Sequence, residues 1–341
     1  MHYSEVCLES FGYHLPEQAI TSEEIECKLS RLYEHLRIPK GRLEALTGIK
    51  ERKIWPSGTL PSDIASEAGK KALENCHLNA QDIDLVIFTG VCRNALEPST
   101  ANVVHHNLKL SPHCMSFDIS NACIGFLNGM TVAANMIEMK QVRNALIVTG
   151  ENAAPLYDNI LPKLSELKDE EMFRNSLASL TLGSAAVAFV MTHKDISKNQ
   201  HKLIGGVGQC DSSGHNLCIG NGDTRALSMQ TDTVNLMKKG LILSQITWEL
   251  FKRKIEWDNT TPDHILTHQI SQSHHNKCFE LLKLQQEKGY CFIENLGNTG
   301  SAAAPLSLAL AHEQGHFKAK DKIALLGIGS GLNTLMLGIK W

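Results

Sequence analysis

With 341 residues, 43% of them hydrophobic and 20% charged, the chain has enough apolar material for one large core or two fused ones of ordinary size. Lys and Arg number 33 against 36 Asp and Glu, for a net charge of −3 without a polybasic block, which excludes nucleic acid and an anionic membrane surface as main partners. No apolar run is long enough to span a bilayer, and residues 1–10 lack the basic-then-apolar order of a signal peptide, so the expected location is the cytoplasm. There the ten cysteines, with no C-x-x-C pair, are expected as thiols. No zinc site is indicated, and the pairs His105–His106 and His274–His275 read as surface residues.

In chain order, a strand is expected near residues 5–11. The cap signature Thr21-Ser-Glu-Glu24 then opens a helix to about Leu36. A short element follows Pro39 and closes at Thr47-Gly48-Ile49, and Lys50 to Trp55 reads as charged, exposed and extended. Pro61 and Asp63 open a helix to Asn75, and Ile83 to Thr89 is a β-branched apolar run of strand length. Glu97-Pro98-Ser99-Thr100 ends a loop and starts a helix, with Pro98 suited to its first position. Strands are expected at 113–119 and 145–150, a surface excursion at 158–175, and a small-residue strand at 183–190.

The polar stretch Lys194 to Gln200 is the candidate boundary between halves 1–195 and 196–341. Beyond it come a strand at 203–209, a loop through Asp223, a long helix from Thr231 to Lys254, a strand at 264–268 and a helix at 274–284. A strand near 291–293, a helix after Gly300 and closing strands at 322–326 and 334–339 complete the chain. Strand and helix alternate throughout, and two similar α/β halves fit this rhythm better than one mixed sheet.

The chemistry centres on Ser116-Phe-Asp-Ile-Ser-Asn-Ala-Cys123-Ile-Gly, where a strand passes into a helix whose apolar residues Phe126, Leu127, Met130, Ala133, Ala134 and Ile137 recur at helical spacing. Cys123 in the first turn would meet unpaired N–H groups and the positive end of the helix dipole, which favour a thiolate nucleophile. A buried structural cysteine is the plain alternative. Two later segments would complement a thiol: His268 at the end of an apolar strand, and Asn298 in the glycine-bracketed turn Gly297-Asn-Thr-Gly300.

Taken in order, Asn-Ala-Cys123, Thr-His268-Gln and Gly-Asn298-Thr resemble the Cys-His-Asn set of the 3-oxoacyl-acyl-carrier-protein synthase III family of condensing enzymes. The separation 298 − 268 = 30 suits that family, as do Thr47-Gly48-Ile49 with Arg52 and the closing Gly327-Ile-Gly-Ser-Gly331. The resemblance implies a thiolase-like fold, two α/β halves in a layered αβαβα arrangement, over essentially the whole chain. Within the family the chain is most similar to the branch that joins two fatty acyl-CoA molecules head to head. Glu97, 123 − 97 = 26 residues before the cysteine, matches the catalytic glutamate of that branch. The nucleotide-clamping Trp and Arg of the chain-initiating synthases are replaced by Arg42 and Leu46, so the CoA contacts stay unassigned.

The resemblance implies an acyltransferase that runs a Claisen condensation through an acyl-Cys123 intermediate, with coenzyme A thioesters as substrates and no permanently bound cofactor. Cys123 N–H and the loop Gly329, Ser330, Gly331 would hold the first oxyanion, and His268 and Asn298 would hold the enolate of the second substrate. A plain acyl-CoA as second substrate requires a base, for which Glu97, delivered across a homodimer, is the candidate. Malonyl-acyl carrier protein would need none, which keeps the decarboxylating synthase reaction as the alternative. A catalytically silent pairing subunit is the third reading.

Overall fold

The computed structural model describes residues 1–166, 169–222 and 227–341. Its frame is one mixed sheet of nine strands: β1 Val6–His14, β2 Leu85–Phe88, β3 Met115–Asp118, β4 Asn144–Glu151, β5 Ala185–His193, β6 His201–Cys210, β7 His264–Thr267, β8 Lys322–Gly329 and β9 Asn333–Lys340. They lie in the order β7-β8-β9-β6-β1-β5-β4-β2-β3. Strands from before residue 195 thus occupy one side and those after it the other. The two groups meet where β1 and β6 pair antiparallel at only Cys7↔Lys202 and Leu8↔His201. The expected choice between two halves and one mixed sheet dissolves, because the two groups are hydrogen-bonded edge to edge through this short junction.

Five helices complete the frame: α1 Pro61–Glu74, α2 Gly125–Glu138, α3 Thr233–Ile255, α4 Gln272–Leu282 and α5 Ala303–Glu313. In α5 every residue from Ala303 to Ala311 is buried, and α2 buries Phe126, Leu127, Met130, Ala133, Ala134 and Ile137 in the same apolar cluster. A helix apolar on all sides has no solvent face to offer and must lie inside. α5 therefore lies inside, and α2, which leaves Asn135 exposed, joins it in the central layer through its buried face, both packed with strands from both groups. The layered mixed α/β architecture follows from that burial.

Parallel pairing is confined to β4–β2–β3 and to β7–β8, and the carboxyl ends of these strands carry the sequence motifs. Openings of this kind, outside the carboxyl ends of parallel strands, are where α/β sheets place their ligands.

Several expected elements differ. The expected first helix is two, Ser22–Lys28 and Ser30–His35, and residues 291–293 form no strand but lead into a short helix, Ile293–Leu296. The segment 158–175 is no mere surface excursion: Ile160, Leu161, Leu164 and Phe173 are core residues. Asp223 lies outside the described residues; around it, Cys218–Asn221 and Ser228–Thr231 pair as a small hairpin. Arg52, expected in an exposed stretch, is 0% exposed, because its Nε donates to Leu180 O at 2.8 Å and its Nη1 to Ser22 Oγ at 2.7 Å. His274 and His275 are also buried, on the inner face of α4.

Candidate active site

Cys123 follows β3, but α2 begins only at Gly125, so the thiol stands two residues ahead of the helix rather than in its first turn. The connection is tight. Ala122 has φ +46°, a left-handed conformation that costs a residue with a Cβ roughly 1–2 kcal/mol. Ile124 N–H and Gly125 N–H close the turn onto Asn121 O and Ala122 O at 3.1 and 3.2 Å. Strain of this kind turns the cysteine out of the strand line and persists where the surroundings enforce it. Gly125 lets the helix start press against the end of β2, since a Cβ there would lie 2.5 Å from Thr89 O.

The turn after β8 approaches from the other side. Gly329 lies against the backbone of Cys123 and Ile124, and Asn333 Nδ2 bridges Ser330 O and Asn121 Oδ1, each at 3.3 Å. The N–H groups of Cys123, Ser330 and Gly331 meet no backbone acceptor among the described residues. Donors left open beside a thiol are what an oxyanion formed on that thiol requires.

His268 immediately follows β7, its N–H donating to Leu326 O on the neighbouring β8 at 2.8 Å. It is 3% exposed, and its Nδ1 has no partner among the described residues. Burial, reinforced by nearby His274, lowers its pKa to about 3, so the ring is a neutral imidazole across the physiological range. Asn298 is fixed between two backbone contacts, its N–H on Thr181 O at 2.8 Å and its O accepting Gly183 N–H at 2.9 Å. Its side-chain Oδ1 accepts Gly300 N–H at 3.0 Å, which leaves the amide NH₂ to donate outward.

The electrostatics correct one expectation. Burial, with Cys218 and the Glu151 carboxylate nearby, pushes the Cys123 thiol up to about 12. A standing thiolate is therefore not the resting state, and the helix dipole two residues away does not overcome desolvation. The thiol must lose its proton as it attacks.

Glu97 is not buried as His268 and Asn298 are. It is exposed on the loop between β2 and the helix Thr100–Asn107, and the preceding Leu96 is 95% exposed. Ser99 caps that helix and Thr100 begins it, so Pro98 is not at the first position expected from the sequence, and Glu97 precedes the cap. Sequence reasoning missed Glu151, the last residue of β4, because the apolar run Ala-Leu-Ile-Val-Thr-Gly was ended one residue too early; an acid closing a buried strand was the available signal. Clefts of about 770, 620 and 610 Å³ lie by Trp55 and Tyr157, by Tyr13 and His312, and by Tyr33 and Arg37, and none of them is lined by Cys123, His268 or Asn298.

A mixed-sheet α/β frame with a cysteine beside a strained turn, a neutral strand-end histidine and an asparagine in a turn after a short helix suits a condensing enzyme of the acyl-transferring class. Comparison with known proteins agrees. Residues 117–211 match the 3-oxoacyl-[acyl-carrier-protein] synthase III model and residues 253–341 its C-terminal counterpart. Acyl-CoA:acyl-CoA alkyltransferases of Shewanella oneidensis and Xanthomonas campestris are 37% and 36% identical, each covering 100% of both chains. A beta-ketoacyl-[acyl-carrier-protein] synthase III 2 of Vibrio vulnificus is 28% identical, over 100% of this chain and 89% of its own. A crystal structure of Xanthomonas campestris OleA superposes with TM-score 0.97 at 36% identity, covering 100% of this chain and 98% of its own. Another, a cysteine-to-serine variant with bound lauric acid and lauroyl-CoA, has TM-score 0.96 at 36% identity, over 99% and 100% of the two chains. The chain belongs to the acyl-CoA:acyl-CoA alkyltransferase family, within the synthase III condensing enzymes.

Proposed function

We propose that this protein condenses two fatty acyl-CoA molecules head to head, without decarboxylation, to a β-keto product. The observation that carries the reading is full-length similarity to two acyl-CoA:acyl-CoA alkyltransferases, against more distant similarity to a malonyl-type synthase. The chemistry of the candidate residues supports it. Cys123 sulfur attacks the first thioester carbonyl, giving up its proton to the departing CoA sulfur, while Cys123 N–H and the Gly329–Ser330–Gly331 turn hold the oxyanion. CoA thiol departs with that proton and acyl-Cys123 remains.

The second acyl-CoA then sets its carbonyl oxygen against His268 and Asn298, two neutral donors suited to a developing enolate. A plain acyl thioester has no carboxylate to lose, so a base must take the α-proton. We assign this to Glu97 of the partner subunit: on its own chain Glu97 is exposed and has no hydrogen-bond partner among the described residues, and Leu96 beside it offers an apolar side chain to a second copy. The α-carbon attacks acyl-Cys123, the C–C bond forms, and the Cys123 C–S bond breaks with the sulfur regaining a proton. We further assign a homodimer, two halves meeting near residue 195 and a cytoplasmic role in lipid synthesis. No helix among the described residues is long and apolar enough to cross a membrane.

The test supplies a long acyl-CoA alone. Acylation of Cys123, seen by intact mass, and β-keto product without malonyl thioester are expected. A strict requirement for malonyl-acyl carrier protein would return the protein to the decarboxylating reaction, and acylation of a Cys123→Ala variant would remove the nucleophile assignment.

A further inference from the structure

A buried carboxylate that no step above uses lies between the two loops that serve condensation. Glu151 is 4% exposed at the end of β4. Its Oε1 accepts Val91 N–H at 3.0 Å, Ser301 N–H at 3.1 Å and the Ser301 hydroxyl at 2.5 Å, and its Oε2 accepts Cys92 N–H at 3.3 Å. The Ser301 hydroxyl also meets Thr149 Oγ1 at 2.7 Å, and Trp55 Nε1 holds the Glu151 backbone O at 3.2 Å. No Lys, Arg or His forms an ion pair with this carboxylate among the described residues, so it is satisfied by four directed donors. Donors of that kind fix geometry more than they balance charge.

The donors come from two places. Val91 and Cys92 begin the loop that carries Glu97, and beyond them, among the described residues, that loop is held through Asn94, whose N–H donates to Thr100 Oγ1 at 3.4 Å and whose side chain pairs with Ser62 N–H and Oγ at 3.0 and 2.8 Å. Ser301 ends the turn that carries Asn298, and Gly300, at φ +59°, lies so close that a Cβ would come within 3.2 Å of the carboxylate. We propose that Glu151 is a positioning residue for the condensation step, clamping the base-bearing loop to the turn that presents Asn298. This rests on the assignment of Glu97 as the base given above. Asn298 acts on the second substrate in its own subunit's site and the Glu97 loop on the second substrate in the other subunit's site, and neither acts on the first, so the clamp matters to one half-reaction.

The test is a double-mutant cycle read on two half-reactions in the intact dimer, using lauroyl-CoA as the probe. Glu151→Gln keeps the shape but turns an NH₂ toward donors. It is expected to leave acylation of Cys123 within about threefold and to slow β-keto formation about 10–100-fold, since a shift of about 1 Å can cost 10²-fold. Combined with Glu97→Gln, its loss is expected to fall short of the product of the two single losses by about tenfold, because residues acting through one loop are not additive. Ser301→Ala, which keeps the backbone donor, gives the same pattern at smaller size and covers the case in which Glu151→Gln does not fold. Losses that multiply, or acylation and condensation falling equally in a folded variant, overturn the clamp. If Glu97→Gln alone leaves condensation intact, the base assignment falls and the clamp falls with it, a result distinct from the first.

Discussion

Replacing Gly125 by Ala adds one methyl group at the point where α2 meets the end of β2, and the consequences can be worked from distances. The new Cβ would lie 2.5 Å from Thr89 O, against 3.4 Å for ordinary contact, so backbone must separate by 3.4 − 2.5 = 0.9 Å. Thr89 cannot easily yield, because its N–H and hydroxyl both bond Val148 O, at 2.9 and 3.1 Å. The helix start must move, and it carries Cys123 two residues away. Overpacking of this kind costs about 1–3 kcal/mol, or roughly 2–4 °C of melting temperature per kcal/mol in a chain of this order of size. A displacement near 1 Å at the nucleophile costs up to about 10²-fold in rate. Thermal melts and stopped-flow acylation with lauroyl-CoA measure both. Acylation and melting temperature equal to wild type in Gly125→Ala would show that the close packing at this turn does not hold the thiol.

The remaining predictions test the charge states and the pairing. Glu97→Gln is expected to acylate Cys123 normally, accumulate acyl-enzyme and lose about 10²–10⁴-fold in condensation; an undiminished β-keto yield would contradict the base role. Burial holds His268 at about 3 and His274 and His275 at about 4, whereas unfolding returns each to about 6.5. The unfolded chain therefore takes up protons that the folded chain refuses, so stability is full above about pH 6.5 and is lost as pH falls toward 4, by about 1.4 kcal/mol per pH unit for each ring. His274→Phe should flatten the acid limb of melting temperature against pH, and an unchanged slope would count against a buried neutral ring. Leu96→Glu is expected to weaken self-association and, with it, condensation more than acylation; a light-scattering mass indistinguishable from wild type at every dilution would separate Leu96 from pairing.

The central helices were legible because their signal is local: the spacing of Phe126 to Ile137 and the run of small residues after Gly300 specify buried helices whatever surrounds them. His268 and Asn298 were legible as candidates because a histidine ending an apolar run marks a strand end and a glycine-bracketed asparagine marks a tight turn, here the one after the helix Ile293–Leu296. What failed depended on distant partners. Arg52 sits among charged neighbours in sequence, and only Leu180 and Ser22, remote along the chain, make its burial tolerable. Cys291 to Ile293 is an apolar run too short for its period to separate strand from helix. The charge state of Cys123 escaped for a related reason, since desolvation is a property of the assembled core and the dipole argument needed a helix start two residues earlier than the real one.

The loop that presents Leu96 and Glu97 to solvent leaves Glu97 without a hydrogen-bond partner among the described residues. With the role across the dimer proposed above for Glu97, activity would belong to pairs and could be rebuilt from broken parts. A subunit lacking the thiol still owns its glutamate, and a subunit lacking the glutamate still owns its thiol. Mixed after unfolding and random re-pairing in equal amounts, half of the dimers join one of each kind, and each such dimer regains one working site of two, about a quarter of the wild-type rate from two silent preparations. Under that proposed arrangement a lineage would carry one damaged copy without losing the reaction, so long as a complementary copy is expressed beside it.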